Sequence, residues 1–588
     1  MVQLGTYPRT KQPSYSNPTD YYWALAAPEE MVEHLQARRD TFFRFVEGSS
    51  FFRRVIRLWQ YVHGFYHDAE DMADMDIQVA GEEGEQYLIA INHLRSIIHL
   101  LVTYTCQNRP AWDTLAMNSD SRALRQTRLA NQLLDYYMEQ GKVEAITRRA
   151  VEHGYVLLAG YVRVIWDETM GRELQSNPNT DPETGEIIGG EVYKEGDVFY
   201  DNPTIFDVVT DFTRRTWEDN QWAMVRKQVN KWDMVALYPD LEEEILHSME
   251  SQATVEQLDR MGTIYLQSDV HADLVDYWEF YHKPTPALPR GRKFCFVGDT
   301  MLKDEDWEMP IPIHRMVVAE LLLTCLGYSP GLDMLGGQEA LNMLFSTIVT
   351  NSNNFGQQKV WFRSGSAINL ADLDAGCTVV QSKEPPQPLN LMAPPGNMVA
   401  LVELFKTQLE LVSGVNSVAR GQPEASLRSG DALAIIDAKA LQFASQAVAN
   451  YYGLLTDVGT ATLKLLQKNA HTQRVAAIAG INQRSSLKVF SSDDLDQIDL
   501  VRVIPGNPIL RTVAGREYAA SKLMAANLVT KEEFFTVLTT GELKPLTRFV
   551  EAQLDTIHDE NEILLQPQFD RAMVPPEVPP EMLLEWIK

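Results

Sequence analysis

Only one serine in the chain stands in the setting of an acyl-transfer nucleophile: Ser329, within Gly327-Tyr328-Ser329-Pro330-Gly331. A G-x-S-x-G elbow needs the backbone N–H of the residue after the serine as an oxyanion donor. That residue is Pro330, which has none, so the spacing marks a turn. Carboxylates gather at Asp71, Asp74 and Asp76 and again at Asp493, Asp494, Asp496 and Asp499. Neither group has the glycine and terminal glutamate of a calcium loop, so both read as solvated acidic faces. NPNTDPETGE (177–186) reads as a hairpin turn built from Asn, Pro, Asp and Gly. His63 with His67 and His93 with His99 lack further ligands, and Cys106, Cys295, Cys325 and Cys377 show no CxxC spacing. There is no GxxxxGK[ST] and no HExxH. The chain is therefore expected to be no enzyme, with no catalytic residue, metal or cofactor.

Aromatic residues in TRRTWEDNQWAMVRKQVNKW (213–232) could stack bases between Arg and Lys, but their spacing reads as packing. The formal charge of −28, from 52 Lys and Arg against 80 Asp and Glu, argues against a general nucleic-acid binder. Any contact with DNA is expected to be local or weak. The first residues have no apolar signal-like core, and the most apolar run, 316–328, carries Glu320 and is too short for a bilayer. A soluble protein of a reducing compartment, not secreted and without a membrane partner, is the expectation.

The elements that would position any site suggest a mixed α+β, helix-dominated chain. At about 150 residues per domain, 588 residues give roughly three or four structural units. After a Pro- and Tyr-rich arm, the first 155 residues read as mainly helical. YVRVIWDE (161–168) reads as a strand, and GEVYKEGDVFYD and TIFDVVTDF as β-hairpin material. A helix is expected at NKWDMVALYPDLEEEILHSM, then strands at VDYWEFYHK and RKFCFVGD. The segment 337–356 is a nearly uncharged helix holding only Glu339, and 360–380 reads as short strands leading into EPPQPLNLMAPPG. A second helix, 398–414, sets Leu401, Leu404, Phe405, Leu409 and Val412 on one face and Lys406 between Glu403 and Glu410. A long helix is expected over 431–470, with a bend at Gly453 or Gly459, followed by strands at SLKVFSS and IDLVRVIPG. A helical C-terminal unit begins near Thr512, with a Thr530–Glu533 capping box.

Between the second and the long helix lies ARGQPEASLRSGDALA (419–434), a polar Gly/Pro/Ser stretch with Arg420 and Arg428. The order of these parts resembles the portal proteins of tailed double-stranded DNA bacteriophages. NQLLDYYMEQGKVEAITRRAVEHGYVLLAGYVRVIWDETMG, FYDNPTIFDVVTDF, WAMVRKQVNKWDMVALYP and LGYSPGLDMLGGQEALNMLFS carry the resemblance, which covers most of residues 80 to 560. It implies a ring subunit divided into an arm (1–27), a wing (28–335), a first stem helix (336–356) and a clip (357–397). A second stem helix (398–416), a tunnel loop (417–430), a long wing helix with wing strands (431–511) and a crown with its tail (512–588) would follow.

The resemblance further implies a homo-oligomer of about twelve subunits at one capsid vertex, assembled in the host cytoplasm and carried in the virion. Its implied partners are double-stranded DNA held weakly and non-specifically, the terminase large subunit, the major capsid and scaffolding proteins, and a tail adaptor. On this mapping Arg420, Gln422, Ser426 and Arg428 would face DNA, and Lys359, Trp361, Arg363 and Lys383 would dock the motor and later the tail. Two readings of the arginines stand side by side: loose phosphate contacts, or pairing with Glu424, Asp431 or a neighbouring subunit. Two other functions remain open: a cytoplasmic α+β hydrolase or metal-dependent enzyme, and an oligomeric scaffold that never touches DNA.

Overall fold

The computed structural model describes residues 22–64, 89–107, 110–116, 121–175, 179–180, 187–188, 192–248, 273–356, 358–364, 377–384, 398–415, 444–470, 474–479, 485–492, 495, 498–505, 521, 524 and 534. Its helices are α1 (Pro28–Gly48), α2 (Ser50–His63), α3 (His93–Thr105), α4 (Ser121–Gln140), α5 (Val143–Val156), α6 (Lys231–Leu237), α7 (Glu242–His247), α8 (Gly331–Gly356), α9 (Met398–Ser413) and α10 (Ser445–Asn469). The principal strands are β1 (Pro110–Ala116), β2 (Ala159–Asp167), β3 (Asp197–Asp201), β4 (Val208–Thr210), β5 (Trp222–Asn230), β6 (Leu274–His282) and β7 (Arg292–Val297). They continue with β8 (Thr300–Glu305), β9 (Ile313–Val317), β10 (Gln358–Arg363), β11 (Cys377–Ser382), β12 (Arg474–Ala479), β13 (Ser485–Phe490) and β14 (Ile498–Pro505). The fold is mixed α+β. The chain divides into two compact units, one of residues 1–105, 148–163 and 201–451, the other of 106–147, 164–200 and 452–588.

The first unit is built on a five-stranded sheet in the order β8-β7-β6-β5-β4, antiparallel throughout. Its central strands bury Trp278, Phe280, Phe294 and Phe296, which suit a pleated, packed surface. The amphipathic α2 buries Phe52, Val55, Leu58, Tyr61 and Val62 at helical spacing. Ser49 caps its start by accepting the Phe51 N–H, and Gly64, at φ 93°, closes its end. Strand β9 pairs with the first half of β2, from Ile313 opposite Arg163 to Val317 opposite Ala159. Gly160 sits so close to α5 that a Cβ there would lie 1.8 Å from the Ala150 carbonyl oxygen.

In the second unit β1 and β14 pair antiparallel, from Pro110 opposite Pro505 to Ala116 opposite Ile498, and β12 and β13 form a hairpin. The buried Trp112 donates its Nε1–H to the Leu455 carbonyl at 2.8 Å. Its ring leaves no room at Gly459, where a Cβ would meet the indole at 2.8 Å.

Several expectations need correction. The first 155 residues are mainly helical as expected, but they also hold the strand β1, and β12 is likewise an additional strand. The helix expected at NKWDMVALYPDLEEEILHSM is broken at Pro239 into α6, a 3-10 turn and α7, since proline cannot supply the interior N–H. VFYD and VVT do form strands, but β4 pairs with β5 and not with β3, so they make no mutual hairpin. Helix α10 runs unbroken through Gly453 and Gly459, and the latter serves close packing against Trp112. Helix α8 starts at Gly331, ahead of the expected 337. Of the long helix, 431–443 lies outside the described residues, as do Thr530 and Glu533 and all of the C-terminal unit except Ser521, Met524 and Phe534, which are helical.

Candidate assembly site

Ser329 is fully buried and committed to structure. Its hydroxyl donates to the Tyr155 carbonyl and accepts the Gly331 N–H at 3.0 Å, and its own carbonyl accepts from Leu332. It helps cap the start of α8. The His63 ring stacks on Trp59 at 4.5 Å with Nδ1 2.9 Å from the Trp59 carbonyl, while His99 is exposed on α3. Asp499 lies in β14; the other carboxylates of both acidic groups, and His67, are outside the described residues. Among the described residues no group of three His, Cys, Asp or Glu could hold a metal, and the buried Cys295 and Cys325 are free thiols. Trp217 packs on Tyr161 and Trp222 on Trp23 and Phe280, as packing requires.

The helix pair α8 and α9 is where unusual surface accumulates. The polar, nearly uncharged character of α8 has a cause. Gln338, Asn342 and Ser346, spaced four apart and so stacked on one face, run a ladder of hydrogen bonds along residues 89–94. Gln338 Oε1 accepts the N–H of His93 and Leu94 at 3.1 and 3.0 Å, and its Nε2 donates to the Ile91 carbonyl at 2.7 Å. Asn342 accepts from Ile91 N–H, and Ser346 accepts from Ile89 N–H at 2.9 Å. A buried glutamine from a distant helix thus satisfies orphan donors at the start of α3.

Helix α9 packs on α8 through a stripe of Val402, Leu409 and Ser413, with Leu409 Cδ2 against Gly337. This differs from the expected single face. Leu409 turns inward, whereas Leu401, Leu404 and Val412 face outward and Phe405 is half-buried. The outward set is large: Leu404 is 52 % exposed, Leu411 71 %, and Met343 of α8 71 %. Lys406 pairs with Glu403 at 3.1 Å, as the spacing predicts. Leu322 and Leu323, in the turn before α8, are also largely exposed. Among the described residues no helix is long and apolar enough to cross a membrane.

Between the two helices, β10 and β11 pair in parallel, Gln358 opposite Cys377 through Arg363 opposite Ser382. Lys359 lies within β10, and the period of two puts Trp361 and Arg363 on one side of that strand. Trp361 donates Nε1–H to Ser382 Oγ at 2.7 Å, and exposed Lys383 follows β11 directly. Trp361, Arg363 and Lys383 therefore gather at one end of the ribbon. Arg420, Gln422, Ser426 and Arg428 lie outside the described residues.

No spacing of residues foretold the buried charge network in the first unit. Arg163, fully buried, donates to Glu279 at 2.7 Å and to Asp201 at 3.0 Å, and Tyr281 donates to Glu279 at 2.5 Å. Burial opposes the charge on both ionic partners. Glu279 nevertheless titrates below its ordinary value because Arg163 and the Tyr281 hydroxyl favour the carboxylate, and Arg163 is raised by Glu279, Tyr281 and Asp201. The network ties β2 to the five-stranded sheet.

A closed structural core, a serine spent on capping and an outward-facing apolar helix pair define an assembly component. The family model for phage P22-like portal proteins matches residues 44–501 of the 588, and the chain belongs to that family. It is a family of structural, capsid-associated proteins that work as oligomers. No curated protein matches the chain.

Proposed function

We propose that the chain is the subunit of a ring, of about twelve copies, that forms the DNA channel at one vertex of a phage capsid. The observation that carries this is the pair α8–α9. It exposes Met343, Leu404 and Leu411 although each helix already packs on the other, and burying them needs neighbours. Residues 336–356 and 398–416 then act as the stem, 357–397 as the clip, 417–430 as the tunnel loop, 28–335 with 431–511 as the wing, and 512–588 as the crown. The ring serves DNA packaging, retention and ejection. It docks the terminase large subunit at the clip, contacts capsid and scaffolding proteins, and later takes the tail adaptor.

A chain of formal charge −28 gives a channel that holds DNA loosely, since few phosphates meet a cation. Arg420 and Arg428 supply weak, sequence-independent contacts from every copy, with Gln422 and Ser426 beside them. Light scattering and negative-stain imaging of the purified chain test the ring; a monomer at every concentration would remove it. Packaging assays on Arg420→Ala and Arg428→Ala test the loop, and unchanged retention and translocation in both would end its role. Trp361→Ala is expected to weaken motor binding, with Arg363 and Lys383 contributing beside it; undiminished binding would move the docking site elsewhere.

A further inference from the structure

Two patches of the first unit carry opposite charge. One is a cleft of about 410 Å³ between α2 and the first turns of α8, lined by Arg53, Arg54, Arg57, Leu332, Leu335 and Glu339. Arg53 and Arg54 are exposed; Arg54 donates to the Leu332 carbonyl at 3.2 Å, and Arg57 reaches Glu339 at 3.3 Å. One carboxylate faces three guanidiniums, so the cleft keeps a positive excess on a strongly acidic chain. The other patch is the α6–α7 edge. Asp233, Asp240, Glu242, Glu243 and Glu244 are exposed there beside Trp232, 53 % exposed, and Leu237, 57 % exposed.

We infer that the arginine cleft of one copy receives the acidic α6–α7 edge of the next copy, head to tail. The inference rests on the ring reading above and names the contact that sets its register. Two features make a second copy the occupant. Charge is complementary, exposed Arg53 and Arg54 against the carboxylates beside Trp232 and Leu237, and copies that each carry −28 need such local pairing to approach in one register. The cleft is also continuous with the apolar surface: Gly336, Ala340 and Met343 follow one face of α8, so a chain seated on the arginines extends over exposed Met343. Different patches meeting head to tail form a heterologous contact, the kind that closes rings. Duplex DNA fits less well, because Glu339 stands in the wall and already engages Arg57.

The test uses the full chain and follows assembly by light scattering across concentration, at low and high salt. The reversal Arg53→Glu with Arg54→Glu, and separately Glu242→Lys with Glu243→Lys and Glu244→Lys, should each raise the half-assembly concentration by about tenfold or more. One chain carrying both sets should regain assembly. All five residues are exposed, so the circular dichroism of each variant should match wild type, with only a small fall in melting from the lost Arg54–Leu332 bond or from the reversed first turn of α7. If wild type assembles and the arginine reversal changes nothing, or the combined chain fails to recover, the pairing is overturned while the ring stands. Unchanged assembly with loss of duplex binding would assign the cleft to DNA and overturn it as well. A wild-type chain that never assembles would overturn the ring reading and the pairing together.

Discussion

Replacing Arg163 by methionine isolates the most costly electrostatic arrangement in the first unit. The substitution keeps a long apolar stem but removes the guanidinium that both Glu279 and Asp201 accept from. Asp201 is 35 % exposed at its side chain and can turn to water, whereas Glu279, at 10 %, cannot. A buried carboxylate stripped of its partner costs about 3–5 kcal/mol. The pH dependence gives the loss a signature. In wild type the Glu279 carboxyl lies below its ordinary value of 4.5, so its stabilisation is complete above that value and is lost as pH falls through the lowered one. With Arg163 gone, burial prevails and raises the carboxyl, so the variant regains stability as acid protonates it. Urea unfolding followed by tryptophan fluorescence, near pH 7 and at about pH 5.5, should therefore show a smaller deficit at the lower pH. Arg163→Met with Glu279→Gln should recover most of the loss, because the uncompensated charge is what costs. A single variant losing less than about 1 kcal/mol, or a double variant no better than the single, would refute the reasoning.

Four further outcomes follow from other parts of the molecule. Gln338→Ala should cost about 1–3 kcal/mol and speed amide exchange at His93 and Leu94, whose donors it leaves bare. Leu404→Asp and Leu411→Asp should leave the melting of the subunit nearly unchanged while shifting light scattering toward monomer, since these side chains are exposed in the single chain. Gly160→Ala should cost about 1–3 kcal/mol or more by thermal melting, because a backbone oxygen occupies the space its methyl needs. Burial holds His314 down at about 4 from 6.5, so its contribution is complete above 6.5 and is lost between there and about 4. His314→Leu should flatten that part of the stability-versus-pH curve.

Local pattern carried much of the fold into view. The strands β2, β6 and β7 and the helices α2 and α9 are read from residues a turn or a pleat apart, and those neighbours are also what positions them. The features that escaped depend on residues distant in sequence. Strand β1 is held by β14, nearly four hundred positions on, and nothing in PAWDTLA announces that partner. Gly459 offers the same letter for a bend and for close approach, and the close approach shows only once Trp112 is beside it. Gln338 looks like one more polar residue until segment 89–94 is beside it, and Arg163 sits in an apolar strand pattern with its carboxylates elsewhere. Of the candidate site, the shared side of Trp361 and Arg363 was legible in the two-residue period of a strand. The inward turn of Leu409 was not, because helix pattern alone does not say which of two apolar stripes meets the partner.

The ladder from Gln338 through Asn342 to Ser346 also has a mechanical meaning. Sliding α8 along its axis by a single residue rise, about 1.5 Å, would take every rung out of register with segment 89–94 at once. Up to Ser346 the helix and the head of α3 are therefore a single lever arm. Thrust applied at the β10–β11 end would be taken up first by the last turns of α8, where the rungs stop, and only the remainder would reach α3.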